Sequence, residues 1–130
     1  MLHHVEIYVS DLSKSRAFYD LFLPDLGYIL YQDWAGGFSF KKDKEYLVFV
    51  QAEEDFLTAG YHRKRVGLNH LAFYGGNPDE VKQLHQRLQT AGVAMLYEDR
   101  FPYAGGSEHF AFYCEDPDRI KIEIVAEEER

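Results

Sequence analysis

The sequence predicts an α+β fold of two βαβββ modules, whose strands form one curved eight-stranded mixed sheet (a cup) with the helices on its outer face. The first observation is an internal repeat. Residues 68–74 repeat the types and order of residues 2–8 at an offset of 66 positions, and residues 96–99 repeat residues 30–33 at the same offset. In addition, each copy opens with an alternating strand pattern and continues with an amphipathic helix. Self-similarity at one period indicates a duplicated structural unit.

Module one covers about residues 1–52. Residues 5–9 alternate between apolar and polar types, which is typical of a half-buried strand. A helix follows, which Ser10 or Asp11 can cap and which ends before Pro24. Three short strand patterns, separated by turn residues, complete the module.

Module two covers about residues 67–126 and repeats this order with clearer helix signals. Asn77 is a suitable N-cap, Pro78 suits the first helical position, and Glu80 completes a capping box. Three strand patterns follow this helix. Residues 53–66 are polar and basic without a sustained period, and they form the predicted linker.

The composition predicts a packed domain that does not bind nucleic acid. The chain has 130 residues, enough for one domain over residues 1–130, and 46% of them are hydrophobic. Its net charge is −8, whereas a protein that binds a phosphate backbone needs a basic face. We therefore expect no nucleic-acid partner.

Cysteine content and hydropathy indicate in which cellular compartment the protein lies. The single cysteine, Cys114, cannot form an internal disulfide, which fits a reducing environment. No apolar run approaches the roughly 20 residues that cross a bilayer, and the first residues lack the pattern of a signal peptide. We expect a cytoplasmic protein without a membrane partner.

Strand parity predicts which side chains face the cup, on the side of the sheet opposite the helices. On the last strand Ile122 and Ile124 face the helices, so Glu123 faces the cup. The same reasoning gives the predicted lining residues, which are His4, Glu6, Tyr8, His70, Tyr74, His109, Tyr113 and Glu123. A polar, aromatic concavity suits a small-molecule substrate.

Two histidines and one acid of this lining form a candidate metal site. His4 and His70 occupy equivalent positions of the repeat, although each alone is more typical of an ordinary, partly buried histidine. A carboxylate at Glu123, between two isoleucines, is costly unless it is paired or bound to a cation. Two imidazoles and one carboxylate can hold a divalent metal, with Zn, Fe, Mn, Ni and Co all compatible.

Other lining residues are candidates for catalysis and substrate binding. His109 and Tyr113, on the penultimate strand, can donate hydrogen bonds to a bound oxygen or move a proton. A cup wall without a catalytic part is the alternative interpretation of this pair. Glu6, Tyr8 and Tyr74 are the candidate substrate-binding residues.

Four further residues are predicted to have no part in the site. Parity places Cys114 on the helix side, as a buried filler and not as a nucleophile. His3, His62 and His85 have no partner pattern, and we expect them at the surface.

Three segments carry a family resemblance: HHVEIYVSDLSKSRAFY, GLNHLAFY and EDPDRIKIEIV. They resemble the vicinal oxygen chelate superfamily, which includes glyoxalases, fosfomycin-modifying thiol transferases, extradiol dioxygenases and bleomycin-resistance proteins. The resemblance covers nearly the whole chain. It implies that His4, His70 and Glu123 are metal ligands, that Glu123 can also act as a base, and that the chain forms a homodimer.

The chain departs from the patterns of this superfamily in ways that bear on the reaction. The carboxylate that is the fourth ligand of glyoxalase I enzymes falls at Val48 or Phe49, both apolar. There is one pair of modules where many ring-cleaving enzymes have two, and the cup strands show no basic phosphonate cage. The usual Asp-Pro-Asp-Gly turn ends in Arg119, so a residue with a side chain occupies the glycine position, at modest strain if that position is left-handed. We expect the turn to be kept.

The resemblance implies a metal-dependent enzyme that binds two adjacent oxygens of a small substrate at a divalent ion. Lyase, thiol transferase and dioxygenase reactions all remain open. The alternative is a non-catalytic protein of the bleomycin-resistance type, which sequesters an aromatic, often cationic ligand. A family member with a filled cup is a third possibility.

Overall fold

The protein consists of two compact units, one of residues Met1–Gly60 and one that begins at Tyr61. The structure is a computed structural model and describes residues 1–127. Each unit has the order βαβββ and contains one four-stranded mixed sheet, which confirms the predicted fold class. The eight strands are divided between these two sheets, and the predicted linker 53–66 is divided between the units.

The two units contain corresponding elements. In the first unit these are β1 (His4–Val9), α1 (Leu12–Asp20), β2 (Ile29–Trp34), β3 (Gly37–Lys42) and β4 (Glu45–Gln51). In the second they are β5 (His70–Tyr74), α2 (Pro78–Thr90), β6 (Ala94–Leu96), β7 (Ala111–Glu115) and β8 (Lys121–Val125). Short 3-10 turns cover Pro24–Leu26, Glu54–Phe56 and Glu98–Arg100.

The two sheets have the same topology. Their strand orders are β1-β4-β3-β2 and β5-β8-β7-β6. In each, the first strand of the module lies at an edge and pairs in parallel with the last strand, while the other neighbours are antiparallel. Identical order and pairing are what a duplicated unit predicts.

In the first unit α1 covers one face of its sheet with aromatic side chains. The Asp11 side chain caps the helix by accepting a hydrogen bond from the Lys14 backbone at 3.1 Å. Tyr19 of the helix packs on Phe49 of β4 with 4.2 Å between ring centroids, and Phe38 of β3 stacks on the same ring. All three rings are buried, so this cluster is the core of the unit.

In the second unit α2 has the predicted capping box. Asn77 accepts from the Glu80 backbone at 2.8 Å, and the Glu80 carboxylate accepts from the Asn77 backbone at 3.2 Å. The helix buries Val81, Leu84 and Leu88 on its sheet-facing side. These residues recur at helical spacing, which is why the sequence predicted this helix well.

The prediction that His85 lies at the surface is wrong. This residue is only 7% exposed, and its ring stacks in parallel on Phe101 at 4.0 Å between centroids. Its Nε2 lies 2.9 and 3.1 Å from the two carboxylate oxygens of Glu98. Because His85 falls next to Leu84 on the apolar side of α2, the helical period turns it inwards, and Glu98 satisfies its polar edge.

The turn before β8 is present, as predicted, and Arg119 takes its left-handed position with φ = 65°. The carboxylate of Asp116, which is 5% exposed, organises this turn. Its Oδ1 accepts hydrogen bonds from the backbone of Asp118 at 2.8 Å and of Ile120 at 2.9 Å. The turn thus fixes where β8 begins.

Within residues 1–127, none of the helices combines the length and the apolar character that crossing a bilayer requires.

Replacing Asp116 with Ala should lower the free energy of unfolding by about 2 kcal/mol, because two backbone N–H groups lose their acceptor. Asp116→Asn is the matched control, since it keeps the oxygen that accepts both bonds and should lose clearly less. Urea unfolding of the three proteins measures this difference. Equal losses in the two variants would show that the carboxylate charge, and not the acceptor geometry, stabilises the turn.

Candidate functional site

The second sheet has one face away from α2 that carries polar side chains. The strand register places its members opposite one another: they are His70, Ala72 and Tyr74 of β5, Lys121, Glu123 and Val125 of β8, and Tyr113 of β7. We call this set the polar face. The alternate residues of the same strands, among them Ile122 and Ile124, are buried on the helix side, as strand parity predicts.

Glu123 lies at the centre of the polar face and is 5% exposed. Its Oε1 lies 3.0 Å from Nε2 of His70, and its Oε2 lies 2.5 Å from Nε2 of His109. Tyr113 adds a hydrogen bond from its hydroxyl group. A buried carboxylate is costly without partners, so these three side chains are what allow Glu123 to occupy its position.

The hydrogen bonds of His70 fix the position of one of its protons. The Asn69 side-chain oxygen can only accept, and it lies 2.7 Å from Nδ1 of His70, so Nδ1 carries a proton. A neutral His70 would then direct the lone pair of Nε2 at the Glu123 carboxylate, which is repulsive. A cation between Nε2 and Oε1, either a proton or a metal ion, removes this repulsion.

Tyr113 is a neutral hydrogen-bond donor at physiological pH. Burial, together with the charge of Glu123 and the hydrogen bond to it, raises the pKa of Tyr113 to about 12. The phenol therefore keeps its proton and donates it towards the carboxylate.

His109 reaches Glu123 from a loop and not from a strand. The sequence predicted it within the penultimate strand, but β7 begins two residues later, at Ala111. The backbone of Gly105 lies against this loop so closely that a Cβ there would be 2.5 Å from the Tyr113 hydroxyl oxygen and 2.8 Å from Cδ2 of His109. The absence of a side chain at Gly105 therefore positions both residues.

A cleft of about 600 Å³ lies beside His109. Its lining residues are Tyr74, Glu108, His109, Phe110, Val125, Ala126 and Glu127. Tyr74, which the sequence predicted to bind substrate, is 66% exposed and thus available to a molecule in the cleft. The volume suits a small ligand.

The remaining predicted site residues lie on β1, in the first unit. His4 is exposed and stacks in parallel on Tyr46 at 4.8 Å between ring centroids, and its Nδ1 lies 2.9 Å from Nδ1 of His3. Glu6 and Tyr8 are exposed on the same strand. Within residues 1–127, no three His, Cys, Asp or Glu side chains are arranged so that they could hold a metal ion. The ligand set that includes His4 therefore stays a prediction.

The strand register identifies the position in the first unit that matches Glu123. Glu123 is the β8 partner of Ala72, and the corresponding residue pair in the first unit is Glu6 with Val48. Val48 is buried and apolar. The first unit thus supplies a histidine without a carboxylate at the equivalent position of β4.

Asn69 and Gly105 also shape the surroundings of Glu123, but the sequence did not predict them as site residues. Asn69 precedes the repeated histidine in the place where the first copy has His3, and this difference between the copies was the available signal. The pair Gly105-Gly106 is typical of an ordinary turn, and nothing in the local sequence shows which side chains the Gly105 backbone approaches.

Paired βαβββ modules, with a histidine on the first strand of each and a carboxylate on the last strand of the second, are the features that the sequence resemblance implies. A family model described as the Glyoxalase/Bleomycin resistance protein/Dioxygenase superfamily matches residues 1–124. The chain belongs to this superfamily, and the predicted resemblance is confirmed.

Individual relatives agree with this assignment. The protein YqjT of Bacillus subtilis strain 168 is 56% identical over 125 residues, which cover 96% of this chain and 98% of that protein. The crystal structure of a glyoxalase candidate from Bacillus halodurans is 56% identical, with a TM-score of 0.95 and coverage of 98% of this chain and 96% of that one.

More distant structures share the fold. The fosfomycin resistance protein FosX of Listeria monocytogenes has a TM-score of 0.70 at 22% identity, covering 98% of this chain and 93% of its own. Lactoylglutathione lyase of Agrobacterium tumefaciens has a TM-score of 0.68 at 20% identity, covering 97% of this chain and 92% of its own.

Replacing Gly105 with Ala should lower the free energy of unfolding by about 1–3 kcal/mol, because the new methyl group overlaps the Tyr113 hydroxyl and the His109 ring. In a Tyr113→Phe background the same change should cost less, since the nearest overlapping atom is gone. Urea unfolding of the two single variants, the double variant and the parent measures this coupling. If the losses of the two single variants simply add up in the double variant, the Gly105 backbone does not approach the Tyr113 hydroxyl as closely as described.

Cys114 should be unreactive in the folded protein. Burial, reinforced by the charges of Asp116 and Glu115, raises the pKa of its thiol to about 12. At pH 8 roughly one molecule in 10⁴ then carries the thiolate, so alkylation by iodoacetamide should be at least about 1,000-fold slower than in urea. Mass spectrometry of timed samples measures both rates, and rapid labelling of the folded chain would contradict the assignment.

Proposed function

We propose that this chain is a metal-dependent enzyme of the glyoxalase and dioxygenase superfamily that acts on a small, oxygen-bearing substrate. The ligands are His4, His70 and Glu123. The observation that carries the proposal is the contact between His70 and the buried Glu123, in which the proton on Nδ1 leaves Nε2 directed at a carboxylate oxygen. A cation between Nε2 and the carboxylate oxygen would remove the repulsion between these two atoms.

The chemistry of these side chains fits a divalent ion. Imidazole nitrogen and carboxylate oxygen together suit Zn, Fe, Mn, Ni or Co. Asn69 takes the role that an outer hydrogen-bond acceptor commonly has at metal sites, because it fixes the tautomer and orientation of His70. His4 enters the ligand set through its equivalent position in the repeat.

A bound divalent ion would supply Lewis-acid polarisation of two adjacent substrate oxygens. The side chains around Glu123 supply the proton chemistry. Tyr113 stays protonated and donates a hydrogen bond, while His109 faces Glu123 and also borders the cleft. With its side chain 43% exposed, His109 can pass a proton between Glu123 and a substrate in that cleft.

Substrate binding is assigned to Tyr74 in the cleft and to Glu6 and Tyr8 on β1, all of which are exposed. Thiol transfer, dioxygenation and lyase chemistry are all compatible with one carboxylate ligand. A lyase mechanism that uses two carboxylates is disfavoured, because Val48 occupies the equivalent position of the first unit.

The proposal includes a cytoplasmic homodimer. Tyr31 and Trp34 are each 48% exposed on β2, which is an edge strand of its sheet. Exposed aromatic side chains on an edge strand favour association. The single, buried cysteine suits a reducing compartment.

A binding protein of the bleomycin-resistance type is the second candidate, and the cleft favours it. Tyr74 and Phe110 offer aromatic surface there, and Glu108 with Glu127 adds negative charge. These groups suit an aromatic cation.

Metal analysis of His70→Ala separates the two candidates. The untagged chain, purified without chelator, should contain a stoichiometric divalent ion, and the variant should contain none. The variant should keep its circular dichroism spectrum, because His70 is partly exposed and lies at a strand end. His62→Ala is the matched control, since this exposed histidine of the same unit should leave metal content unchanged.

The enzyme proposal fails if the untagged parent binds no divalent ion after incubation with each of the five metals. It also fails if His70→Ala retains full occupancy. Metal-free protein that nevertheless binds an aromatic cationic dye, with loss of that binding in Tyr74→Ala, would establish the sequestering function instead.

A further inference from the structure

Two cations gather around one tyrosine at the end of the polar face, and the chemistry proposed above leaves them unused. The ammonium nitrogen of Lys121 lies 5.5 Å from the centroid of the Tyr97 ring, 5.9 Å from that of Tyr113, and 3.4 Å from the Tyr97 hydroxyl oxygen. The guanidinium carbon of Arg100 lies 5.0 Å from the Tyr97 centroid. The rings of Tyr97 and Tyr113 pack edge to face at 5.3 Å.

Neither cation has an acidic partner among residues 1–127. Glu115 is the strand partner directly opposite Lys121, but two arginines already occupy its carboxylate. Arg63 lies 3.2 Å from one of its oxygens and Arg119 lies 3.2 Å from the other. Within the described part of the chain Lys121 therefore forms no ion pair, and its ammonium group contacts only aromatic rings and a phenol hydroxyl.

The backbone of Tyr97 is held in an unusual conformation that brings its ring to this place. It has φ = 58° and ψ = 33°, a left-handed geometry that is uncommon for an aromatic residue. Such strain persists only where surrounding contacts overcome it, and it is concentrated at functional sites. Here the conformation places a hydroxyl group next to Lys121.

We propose that Lys121, Tyr97 and Arg100 form a subsite for an anionic oxygen group of the substrate, a carboxylate or a phosphoryl group. This inference rests on the proposed function, because it names the substrate class of the same face. An ammonium group and a phenol both donate hydrogen bonds to oxyanions, and the charge of the ammonium strengthens its bond.

The position of Lys121 sets the size and direction of the substrate. Lys121 and Glu123 are two residues apart on one strand, so their side chains leave the sheet about 7 Å from each other. At the other end of β8 the cleft carries Glu108 and Glu127, which repel an anion. A small substrate would therefore lie along β8 with its anionic group towards Lys121.

The fold itself does not require a lysine at this position. In the first unit the residue registered with His4 is Tyr46, whereas Lys121 is registered with His70. The equivalent sites of the two sheets thus differ in charge, which points to a role in recognition and not in sheet formation.

Titration of the full chain with inorganic phosphate and, separately, with acetate tests the subsite. The backbone ¹H–¹⁵N resonances of β8 report binding at constant ionic strength. We expect Lys121→Gln to weaken binding of the preferred anion by about tenfold or more, and Lys121→Arg to stay within about threefold of the parent. Preference for phosphate or acetate decides between a phosphoryl and a carboxylate substrate.

Lys41→Gln is the matched control. This lysine also lies on a strand and over a tyrosine ring, 4.4 Å from the centroid of Tyr31, and its loss should leave both affinities unchanged. Equal weakening by Lys41→Gln and Lys121→Gln would show only non-specific attraction and overturn the proposal. So would the absence of any shift on β8 with both anions.

The same titrations on His70→Ala separate this inference from the proposed function. Anion binding that survives in His70→Ala and disappears in Lys121→Gln supports the subsite whatever the metal analysis gives. Binding that depends on His70 and not on Lys121 would place the anion at the metal ligands and overturn the subsite.

Discussion

The burial of one carboxylate constrains the whole second unit. Glu123 lies between Ile122 and Ile124 on an interior strand and is 5% exposed. A charge in such a place is tolerated only when it is fully paired, and both of its oxygens face an imidazole nitrogen. His70 on the neighbouring strand and His109 on a loop therefore stabilise the carboxylate in this position. The same histidine contacts that stabilise the buried carboxylate also form the proposed site.

Strand parity connects this pairing to the core. The isoleucines on either side of Glu123 are completely buried on the helix side, so a register shift by one residue would expose them and bury the carboxylate without partners. Asp116 sets the first residue of β8 through two backbone hydrogen bonds. Packing of the isoleucines and the hydrogen bonds of the turn therefore both fix the register of β8. The site residues on this strand are held in place as a result.

The sequence predicted those parts of the fold and site that follow from periodicity. The repeat gave both modules and the position of His70, and alternation placed Glu123 opposite the core. Periodicity could not place His109, which reaches the carboxylate from a loop beyond the strand where alternation applies. The surface prediction for His85 failed for another reason, because its partner Glu98 is reached only through tertiary structure and leaves no partner pattern near His85 in the sequence. The left-handed geometry of Tyr97 has no local signature at all.

The differences between the two units are as informative as their likeness. The same topology presents a histidine at the start of β1 and of β5, yet the strand beside it carries Tyr46 and Val48 in one unit and Lys121 and Glu123 in the other. Duplication explains the common framework, because packing of helix on sheet constrains the inward residues of both copies. The outward residues are free of that constraint. At these two registered positions only the second sheet carries charge. Burying a carboxylate is costly even when it is paired, and helix-on-sheet packing does not require it, so binding of a ligand best accounts for it.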